Sequence, residues 1–296
     1  MNIEQLIENE INAIRNIPEN DYNQIVELIF RTVCTNQNKI VFSGVGKAGL
    51  IADLISDKFN SIGITSLFLD PLKSQHGTLG VLNNDDLIFL ISNSGKTDEI
   101  IQFLQLAKNL SKNIKSILIT RNKDTFLYEN CDYVLLTGDT LENCTLGLVP
   151  TISTTVMNVI GNILIYKLEE RINLTKYEYG FYHKGGYIGL QSGKHKKYNF
   201  SEVLKLDDEE IQGIFCIRNL NNNKLYIGKS ENIIDTVKTI ITDLQNFKCN
   251  SKKLQESFNI FGSEAFEFEI MEKISDKNKT SEIYNIYIEK FKPKLQ

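Results

Sequence analysis

Three segments of the chain combine glycines with hydroxyl side chains, the residue types that commonly contact a phosphate group. They are Ser43-Gly44-Val45-Gly46-Lys47, Ser92-Asn93-Ser94-Gly95-Lys96-Thr97 and Pro150-Thr151-Ile152-Ser153-Thr154-Thr155. Each stands at the predicted start of a helix, where backbone N–H groups have no partner within the helix. Hydroxyl groups and free N–H groups at such a place form a neutral cradle for a phosphate monoester. The three segments together favour a small phosphorylated ligand.

Two of the three segments also have a structural interpretation. The first segment suits a plain tight turn, because it lacks the third glycine of a dinucleotide fingerprint and the Gly-Lys-Ser/Thr of a P-loop. In the second segment, Ser94 or Thr97 would serve as an ordinary helix N-cap. Three such segments at one edge of a sheet are harder to explain by capping than any one of them.

The elements that position these segments alternate along the chain, after two predicted helices in the first 38 residues. Short apolar strands are predicted at Lys39–Ser43, Thr65–Leu69, Leu87–Ser92, Lys115–Thr120 and Asp132–Thr137. Helices are predicted at Lys47–Ser61, Thr97–Leu110 and Thr151–Arg171. This alternation predicts an α/β domain with a doubly wound, five-stranded parallel sheet. Ligands of such sheets bind beyond the carboxyl ends of the strands, where these segments fall.

Composition limits the classes of protein. The 296 residues suffice for two domains, and 33 basic against 37 acidic residues give a net charge of −4. We therefore expect no general attraction to nucleic acid or to an anionic membrane. Five widely spaced cysteines without a C-x-x-C pair predict neither a disulfide framework nor a zinc site. The acidic N-terminus and the lack of an 18-residue apolar run predict a cytoplasmic protein.

The character of the sequence changes near residue 190. We expect a first domain at 1–195, a polar linker at 196–210, and a smaller α+β domain at 211–296. The smaller domain is predicted from strands at Ile214–Arg218, Leu225–Ile227 and Phe266–Met271, and helices at 232–245, 251–260 and Ser281–Phe291.

Over residues 1–195 the motifs resemble those of the SIS (sugar isomerase) domain, and within it the D-arabinose 5-phosphate isomerase family. The motifs are Gly44-Val45-Gly46-Lys47-Ala48-Gly49, His76-Gly77-Thr78-Leu79-Gly80, Ser92-Asn93-Ser94-Gly95 with Glu99, Glu142-x-Cys144 with Pro150–Thr155, and His183-Lys184-Gly185-Gly186. The resemblance implies a flavodoxin-like SIS fold. It also implies interconversion of D-ribulose 5-phosphate and D-arabinose 5-phosphate on the way to the sugar acid Kdo, without metal or cofactor.

The resemblance also implies which residues act. The catalytic positions correspond to Lys47, Glu99, Glu142 and His183. Implied substrate-binding residues are Ser43, Gly44, Gly46, His76, Ser92, Ser94, Thr97, Thr151, Ser153 and Thr154. Lys96, Thr78 and Lys184 depart from the family pattern. Since the family's histidine typically reaches a neighbouring subunit, a homo-oligomer, commonly a tetramer, is implied, with a pentose phosphate as the small-molecule partner.

Aldose–ketose isomerisation moves a proton between C1 and C2 through an enediol, which a carboxylate of raised pKa can carry out. We expect Glu142 to be the carbon base, with Glu99 and His183 handling the hydroxyl protons and ring opening. Lys47 would stabilise the oxyanion or orient the substrate. Two alternatives stay open: a sensor that binds a sugar phosphate without turnover, and an isomerase of hexulose or heptulose phosphates.

Residues 211–296 resemble the GIY-YIG endonuclease fold, through Gly213-Ile214-Phe215 and Tyr226-Ile227-Gly228. The resemblance implies that Phe215 replaces one catalytic tyrosine, Thr236 the arginine and Tyr284 the metal-binding glutamate. Residues 201–296 carry 14 basic and 16 acidic side chains, 14 − 16 = −2, so phosphate-backbone attraction is weak. We expect a non-catalytic descendant used in assembly or regulation; a DNA-associated fusion protein is the less favoured alternative.

Overall fold

The computed structural model of the protein describes residues 2–183, 196–207 and 210–296. The chain divides into two compact units, the first ending at Ile172 and the second beginning at Asn173. Each unit has its own sheet and its own hydrophobic core. Among the described residues, no helix combines the length and the apolar character needed to span a lipid bilayer.

The first unit is built on a five-stranded parallel sheet. Its strands are β1 Ile40–Gly44, β2 Ser66–Phe68, β3 Leu87–Ile91, β4 Lys115–Thr120 and β5 Tyr133–Leu136, arranged in the order β2-β1-β3-β4-β5. All four strand pairs are parallel. This is the flavodoxin-like order, in which the topology reverses between β1 and β3 and opens a crevice at their carboxyl ends. The predicted doubly wound parallel sheet is confirmed.

Helices cover the sheet on both faces. They are α1 Ile3–Arg15, α2 Tyr22–Ile29, α3 Gly46–Ser61, α4 Pro71–Ser74, α5 Asp98–Leu110, α6 Phe126–Asn130 and α7 Ile152–Ile172. The helix α2 continues as a π-helical segment, Phe30–Thr35. For the strands and the longer helices of this unit, the ends predicted from the apolar runs lie within one residue of the ends in the structure.

The core of the first unit fixes the position of β1 and β3, the two strands beside the crevice. Phe42 of β1 stacks on Phe89 of β3 with ring centroids 4.8 Å apart, and Phe59 of α3 packs edge-on against Phe42 at 5.3 Å. All three rings are fully buried. The helices α3 and α7 pack so closely that a Cβ at Gly161 of α7 would lie 2.7 Å from the Ile55 side chain of α3.

The second unit is an α+β structure. Its antiparallel sheet consists of β6 Lys197–Asn199, β7 Gly213–Asn219, β8 Leu225–Ser230 and β9 Phe266–Lys273, in the order β6-β9-β7-β8. Its helices are α8 Lys176–Tyr182, α9 Phe200–Val203, α10 Ile233–Gln245, α11 Lys252–Phe261 and α12 Thr280–Phe291. The predicted α+β character of the smaller region is confirmed.

The division between the units comes earlier than the expected boundary at residue 195. Helix α8 belongs to the second unit because Tyr177 is buried in its core, in one apolar cluster with Ile214 and Tyr287. The Tyr177 hydroxyl donates a 2.5 Å hydrogen bond to the buried carboxylate of Glu269. No local pattern indicates this attachment, since the partner lies 92 residues away.

The segment expected as a linker, 196–210, also contributes to the fold. Strand β6 extends the sheet by pairing with β9, so that Lys197 faces Glu269. Helix α9 buries Phe200 and Val203 in the core of the second unit. Phe200 and Val203 thus anchor part of the expected linker to the core of the second unit.

Candidate active site

The first unit contains a cavity of about 440 Å³ at the carboxyl edge of its parallel sheet. The lining comes from the segments that follow β1, β3, β4 and β5 and from the first turn of α7. All three segments that combine glycines or hydroxyl groups, those after β1 and β3 and the one at the start of α7, therefore contribute to one cavity. The topology brings them together, as expected from the sheet.

The segment after β3 is held in shape by its own side chains. The Ser92 hydroxyl and the Thr97 hydroxyl lie 2.8 Å apart, and the Gly95 N–H donates to Ser92 Oγ at 3.1 Å. The Lys96 N–H donates to Ser94 Oγ at 3.2 Å. Ser92, Ser94 and Thr97 all line the cavity at the N-terminal end of α5. The segment is thus a preformed turn with hydroxyl groups at the positive end of a helix, which suits a phosphate.

The backbone after β4 supports this turn from the side. The Arg121 N–H donates to the Asn93 carbonyl at 3.2 Å, and Asn122 Nδ2 donates to the Ser94 carbonyl at 2.9 Å. The Thr120 hydroxyl also donates to Asn93 O, at 3.3 Å. Because these donors occupy the carbonyl groups of the turn, its carbonyl oxygens are directed away from an anion.

Gly95 is required by this geometry. Its φ is +64°, and a Cβ there would lie 2.6 Å from Thr125 Oγ1. Any larger residue would be strained by the backbone angle and would collide with α6, which Thr125 caps.

Glu142 lines the same cavity, where it holds the N-terminal end of α7. Its Oε2 accepts the Thr151 N–H at 2.8 Å, the Thr151 hydroxyl at 3.1 Å and the Ser153 N–H at 3.3 Å. Oε1 receives none of these three hydrogen bonds. The carboxylate therefore has one oxygen fixed to the helix and a second directed elsewhere, in a side chain that lines the cavity.

The pKa of Glu142 differs from the value expected for the carbon base. Partial burial raises the pKa, but hydrogen bonds from Ser153 and Thr151 outweigh this effect and leave it below the ordinary glutamate value. The expectation of a raised pKa is wrong for this carboxyl group, because donors at a helix N-terminus stabilise its charged form. Glu142 is ionised at neutral pH.

Lys47 lines the cavity from the first turn of α3, with an exposed side chain. Glu99 lies in the first turn of α5 and is half-buried, outside the set of residues that line the cavity. Of the four predicted catalytic residues, Lys47 and Glu142 thus share the cavity in the structure, and Glu99 stands beside its phosphate-type turn.

The start of α7 supplies further predicted residues. Ser153 and Thr154 line the cavity, and the Thr154 hydroxyl donates to the Thr151 carbonyl at 2.7 Å. Thr151 itself is occupied by Glu142 and by the Asn143 N–H, which donates to its hydroxyl at 2.8 Å. Thr151 and Ser153 therefore act on Glu142 as well as on the shape of the cavity.

The glycines and Ser43 after β1 lie outside the lining. The Ser43 hydroxyl is buried and donates to the Leu69 carbonyl at 2.8 Å. Gly44 allows α3 to approach β1, since a Cβ there would meet the Ala48 carbonyl at 2.9 Å. Gly46 has φ +58° with open space around it. These positions explain the turn structurally, and their contact with substrate stays a prediction.

The two histidines of the predicted site lie elsewhere. His76 is exposed in the turn that follows α4, outside the cavity lining. His183 follows α8 in the second unit, where its ring stacks on Tyr179 with centroids 4.0 Å apart and hydrogen-bonds the Tyr179 carbonyl at 3.0 Å. The rest of its predicted turn, residues 184–186, lies outside the described residues.

Sequence reasoning missed the residues after β4 and β5. Arg121, Asn122 and Thr140 all line the cavity. A signal was available for Arg121 and Asn122, since they follow a predicted strand directly and so fall on the ligand-binding edge. Thr140 carries no such signal, because it stands in an irregular segment between β5 and α7.

Comparison with known proteins gives one family. The family model described as SIS domain matches residues 34–165. A solved structure of a putative phosphosugar isomerase involved in capsule formation, from Bacteroides fragilis, is 49% identical with a TM-score of 0.61. The match covers 62% of this chain and 97% of that one.

Two further relatives are named for arabinose 5-phosphate, one as a complex with it and one as its isomerase. An Escherichia coli protein solved in complex with arabinose 5-phosphate is 34% identical with a TM-score of 0.55, over 61% of this chain and 95% of that one. The probable arabinose 5-phosphate isomerase of Haemophilus influenzae is 34% identical over 61% of this chain and 52% of its own. The matched part thus spans about half the length of that curated relative.

Proposed function

Because the chain belongs to the family of SIS-domain proteins, we propose that its first unit is a sugar-phosphate isomerase that interconverts D-ribulose 5-phosphate and D-arabinose 5-phosphate. The observation that carries the proposal is the joint presence of Glu142, Lys47 and the turn 92–97 in one cavity. A base, a cation and a phosphate cradle are the parts that an enediol mechanism needs. The relatives named as arabinose 5-phosphate isomerases support the choice of substrate.

The turn 92–97 holds the phosphate and so fixes the position of the sugar chain. Ionised Glu142 then removes a proton from the substrate carbon, and the exposed Lys47 ammonium stabilises the negative charge that develops on the neighbouring oxygen. The proton returns to the adjacent carbon and completes the exchange between ketose and aldose. In this mechanism the positive charge of Lys47 compensates for the modest basicity of Glu142.

Glu99 and His183 complete the proposal as the groups that move hydroxyl protons and open the sugar ring. His183 acts in the site of a neighbouring subunit, and the active form is a homo-oligomer, a tetramer by resemblance to the family. The site uses no metal and no cofactor, and the protein works in the cytoplasm on a pentose phosphate that serves Kdo-type sugar synthesis.

The experiment is to incubate the protein with D-ribulose 5-phosphate without added metal and to follow the anomeric proton signals by NMR. Appearance of D-arabinose 5-phosphate signals supports the proposal. Binding of D-arabinose 5-phosphate without turnover supports a sugar-phosphate sensor, and turnover of a hexulose or heptulose phosphate alone supports the longer substrate.

For the second unit we propose a non-catalytic relative of the GIY-YIG fold. Three positions that a nuclease would use are filled by neutral side chains with structural contacts. Phe215 is buried in the core, Thr236 lies with its hydroxyl 2.6 Å from Ser230 Oγ, and the Tyr284 hydroxyl donates to Ile227 O at 3.4 Å. Such groups do not neutralise the charge of a phosphodiester transition state.

A further inference from the structure

Arg121 is an unpredicted cation in the wall of the cavity. It directly follows β4, and its backbone N–H is bound to Asn93 O of the turn 92–97. Within the described part of the chain, its guanidinium makes one hydrogen bond, from Nη1 to the Thr140 carbonyl at 3.3 Å. Among the described residues, Arg121 is the only arginine that lines the cavity, and it forms no ion pair with a carboxylate.

The geometry around Arg121 is that of an incomplete polar site. A guanidinium carries five N–H donors, and here it is half-buried with one long hydrogen bond. Removing such a charge from water is unfavourable unless an opposite charge or good hydrogen bonds replace the water. The residues that the structure describes supply neither, so an anionic ligand in the cavity would provide the guanidinium with a partner.

Two unpartnered oxygens point to the same conclusion. Thr140 is buried, yet its Oγ1 has no hydrogen-bond partner among the residues with a described position, and the same holds for Asn93 Oδ1. Both residues line the cavity. Buried polar atoms in folded proteins nearly always have partners. Arg121, Thr140 and Asn93 therefore form a polar set, which we call the β4 subsite, that a ligand oxygen would complete.

The charge balance decides which ligand group belongs there. A sugar phosphate in its ground state carries full negative charge only on its phosphate group. The turn 92–97 offers neutral hydroxyl and N–H donors, and its main-chain carbonyls are bound by Arg121, Thr120 and Asn122. Lys96, the one cation of the turn, is exposed and lies outside the cavity lining. The Arg121 guanidinium, which is part of the lining, matches the geometry of phosphate oxygens and adds positive charge there.

We propose that Arg121 is a specificity-determining residue that binds the substrate phosphate jointly with the turn 92–97, while Thr140 hydrogen-bonds an oxygen of the same ligand. This inference rests on the proposed sugar-phosphate function of the first unit. It makes phosphorylated sugars, and anionic ligands in general, the class that the β4 subsite selects.

The test compares R121Q, R121K and T140V with the unaltered full-length protein. The matched control is R31Q, which removes an exposed arginine of the same unit outside the cavity lining. Isothermal titration calorimetry measures binding of inorganic phosphate and of D-arabinose 5-phosphate. The NMR assay measures KM and kcat for D-ribulose 5-phosphate, and circular dichroism checks folding.

For R121Q we expect weaker phosphate binding and a KM about 10- to 100-fold higher, with kcat changed less than about threefold, as for the loss of a charge-assisted ground-state contact. R121K keeps the charge but loses the planar fork, so it should fall between R121Q and the unaltered protein. T140V should raise KM by a smaller factor, and R31Q should leave both constants unchanged.

Unchanged phosphate binding and KM in R121Q would overturn the proposal, as would a fall in kcat at constant KM, which would place Arg121 on the reacting atoms. If R121Q does not fold, equal phosphate affinity of R121K and T140V with the unaltered protein overturns it. The proposed isomerase activity is tested separately. If the unaltered protein binds phosphate through Arg121 but does not turn over D-ribulose 5-phosphate, the β4 subsite is supported and the isomerase function is not.

Discussion

The Thr151 N–H donates a 2.8 Å hydrogen bond to Oε2 of Glu142, so the proposed base and the N-terminal end of α7 are fixed to each other. The bonds that position the carboxylate are also those that lower its pKa. The proposed base is therefore oriented and ionised before substrate arrives, but it is less basic than an ordinary glutamate. This relationship leads directly to the first two predictions.

Replacing Glu142 by Gln should lower kcat/KM for D-ribulose 5-phosphate by at least about 100-fold, the usual effect of losing a positioned base. The Gln amide oxygen can still accept the Thr151 N–H, so the midpoint of thermal unfolding should change little. Glu129→Gln, at an exposed position of α6, is the control and should keep full activity. Turnover by Glu142→Gln equal to that of the control would remove Glu142 from the mechanism.

The pH dependence follows from the sign of the Glu142 shift. Because its pKa is lowered in the folded protein, the carboxylate stays charged throughout the neutral range and is protonated only in acid, below the ordinary value of about 4.3. The acidic limb of kcat due to this group should therefore lie below about pH 4.3. Because the second pKa of a free phosphate monoester, about 6, enters kcat/KM, the decisive profile is that of kcat at saturating substrate. An acidic limb of kcat with a midpoint near about pH 6, as for a carboxyl group of raised pKa, would contradict this assignment.

Gly95→Ala should disturb the turn 92–97. The positive φ and the 2.6 Å approach to Thr125 Oγ1 predict a loss of about 1–3 kcal/mol in the free energy of unfolding. We also expect a higher KM for the sugar phosphate, since the turn must move to admit the methyl group. Gly80→Ala is the control, because nothing lies within 4 Å of a Cβ at that position. Urea unfolding followed by circular dichroism measures the difference, and equal stabilities would show that the turn is not constrained.

Tyr177→Phe should destabilise the second unit. The mutation removes the donor of the 2.5 Å hydrogen bond to Glu269 and leaves a buried carboxylate with one donor fewer, at a cost of about 1–3 kcal/mol. Tyr182→Phe, at an exposed position of the same helix, should have no measurable effect. Hydrogen exchange of the α8 amides separates the two variants. Equal protection of α8 in both would mean that Tyr177 does not attach the helix to the sheet.

The full-length protein should not nick supercoiled plasmid DNA in the presence of magnesium. Thr236 supplies no cation and Tyr284 no carboxylate at the positions that a GIY-YIG nuclease would use. Of its two catalytic tyrosines only Tyr226 is kept, since the other position is Phe215. Agarose gels over a range of protein concentrations test this, with EDTA as the control. Magnesium-dependent nicking that Tyr226→Phe abolishes would overturn the non-catalytic interpretation.

The first unit could be predicted closely from the sequence because its signals are local. The strand Lys115–Thr120 was predicted with both of its ends, since an apolar run bounded by polar residues marks a buried parallel strand. The meeting of the segments at 43–47 and 92–97 followed from topology alone. Order within the sheet and the volume of the cavity needed the structure.

What could not be predicted depends on contacts between distant residues. Glu142 was expected to have a raised pKa, and only the fold shows that Thr151 and Ser153 direct N–H groups at it. Residues 176–182 fall within the expected first domain, and only the buried Tyr177–Glu269 pair shows that they pack in the second unit. Arg121 belongs to no motif; its place directly after a predicted strand puts it on the ligand-binding edge, but only the structure shows that it lines the cavity.

The hydrogen bonds that attach Glu142 to the start of α7 also restrict which residues can replace it during evolution. Aspartate keeps the charge but is one methylene shorter, so it cannot both reach the Thr151 N–H and keep the second oxygen at the same depth in the cavity. Glutamine keeps the length and loses the charge. A lineage that abandoned turnover and kept only ligand sensing would still retain a hydrogen-bond acceptor here, because the first turn of α7 would otherwise lose its partner. Glutamate at this position is therefore weak evidence that a homologue is catalytic. The presence of a lysine at the position of Lys47 is the better indicator.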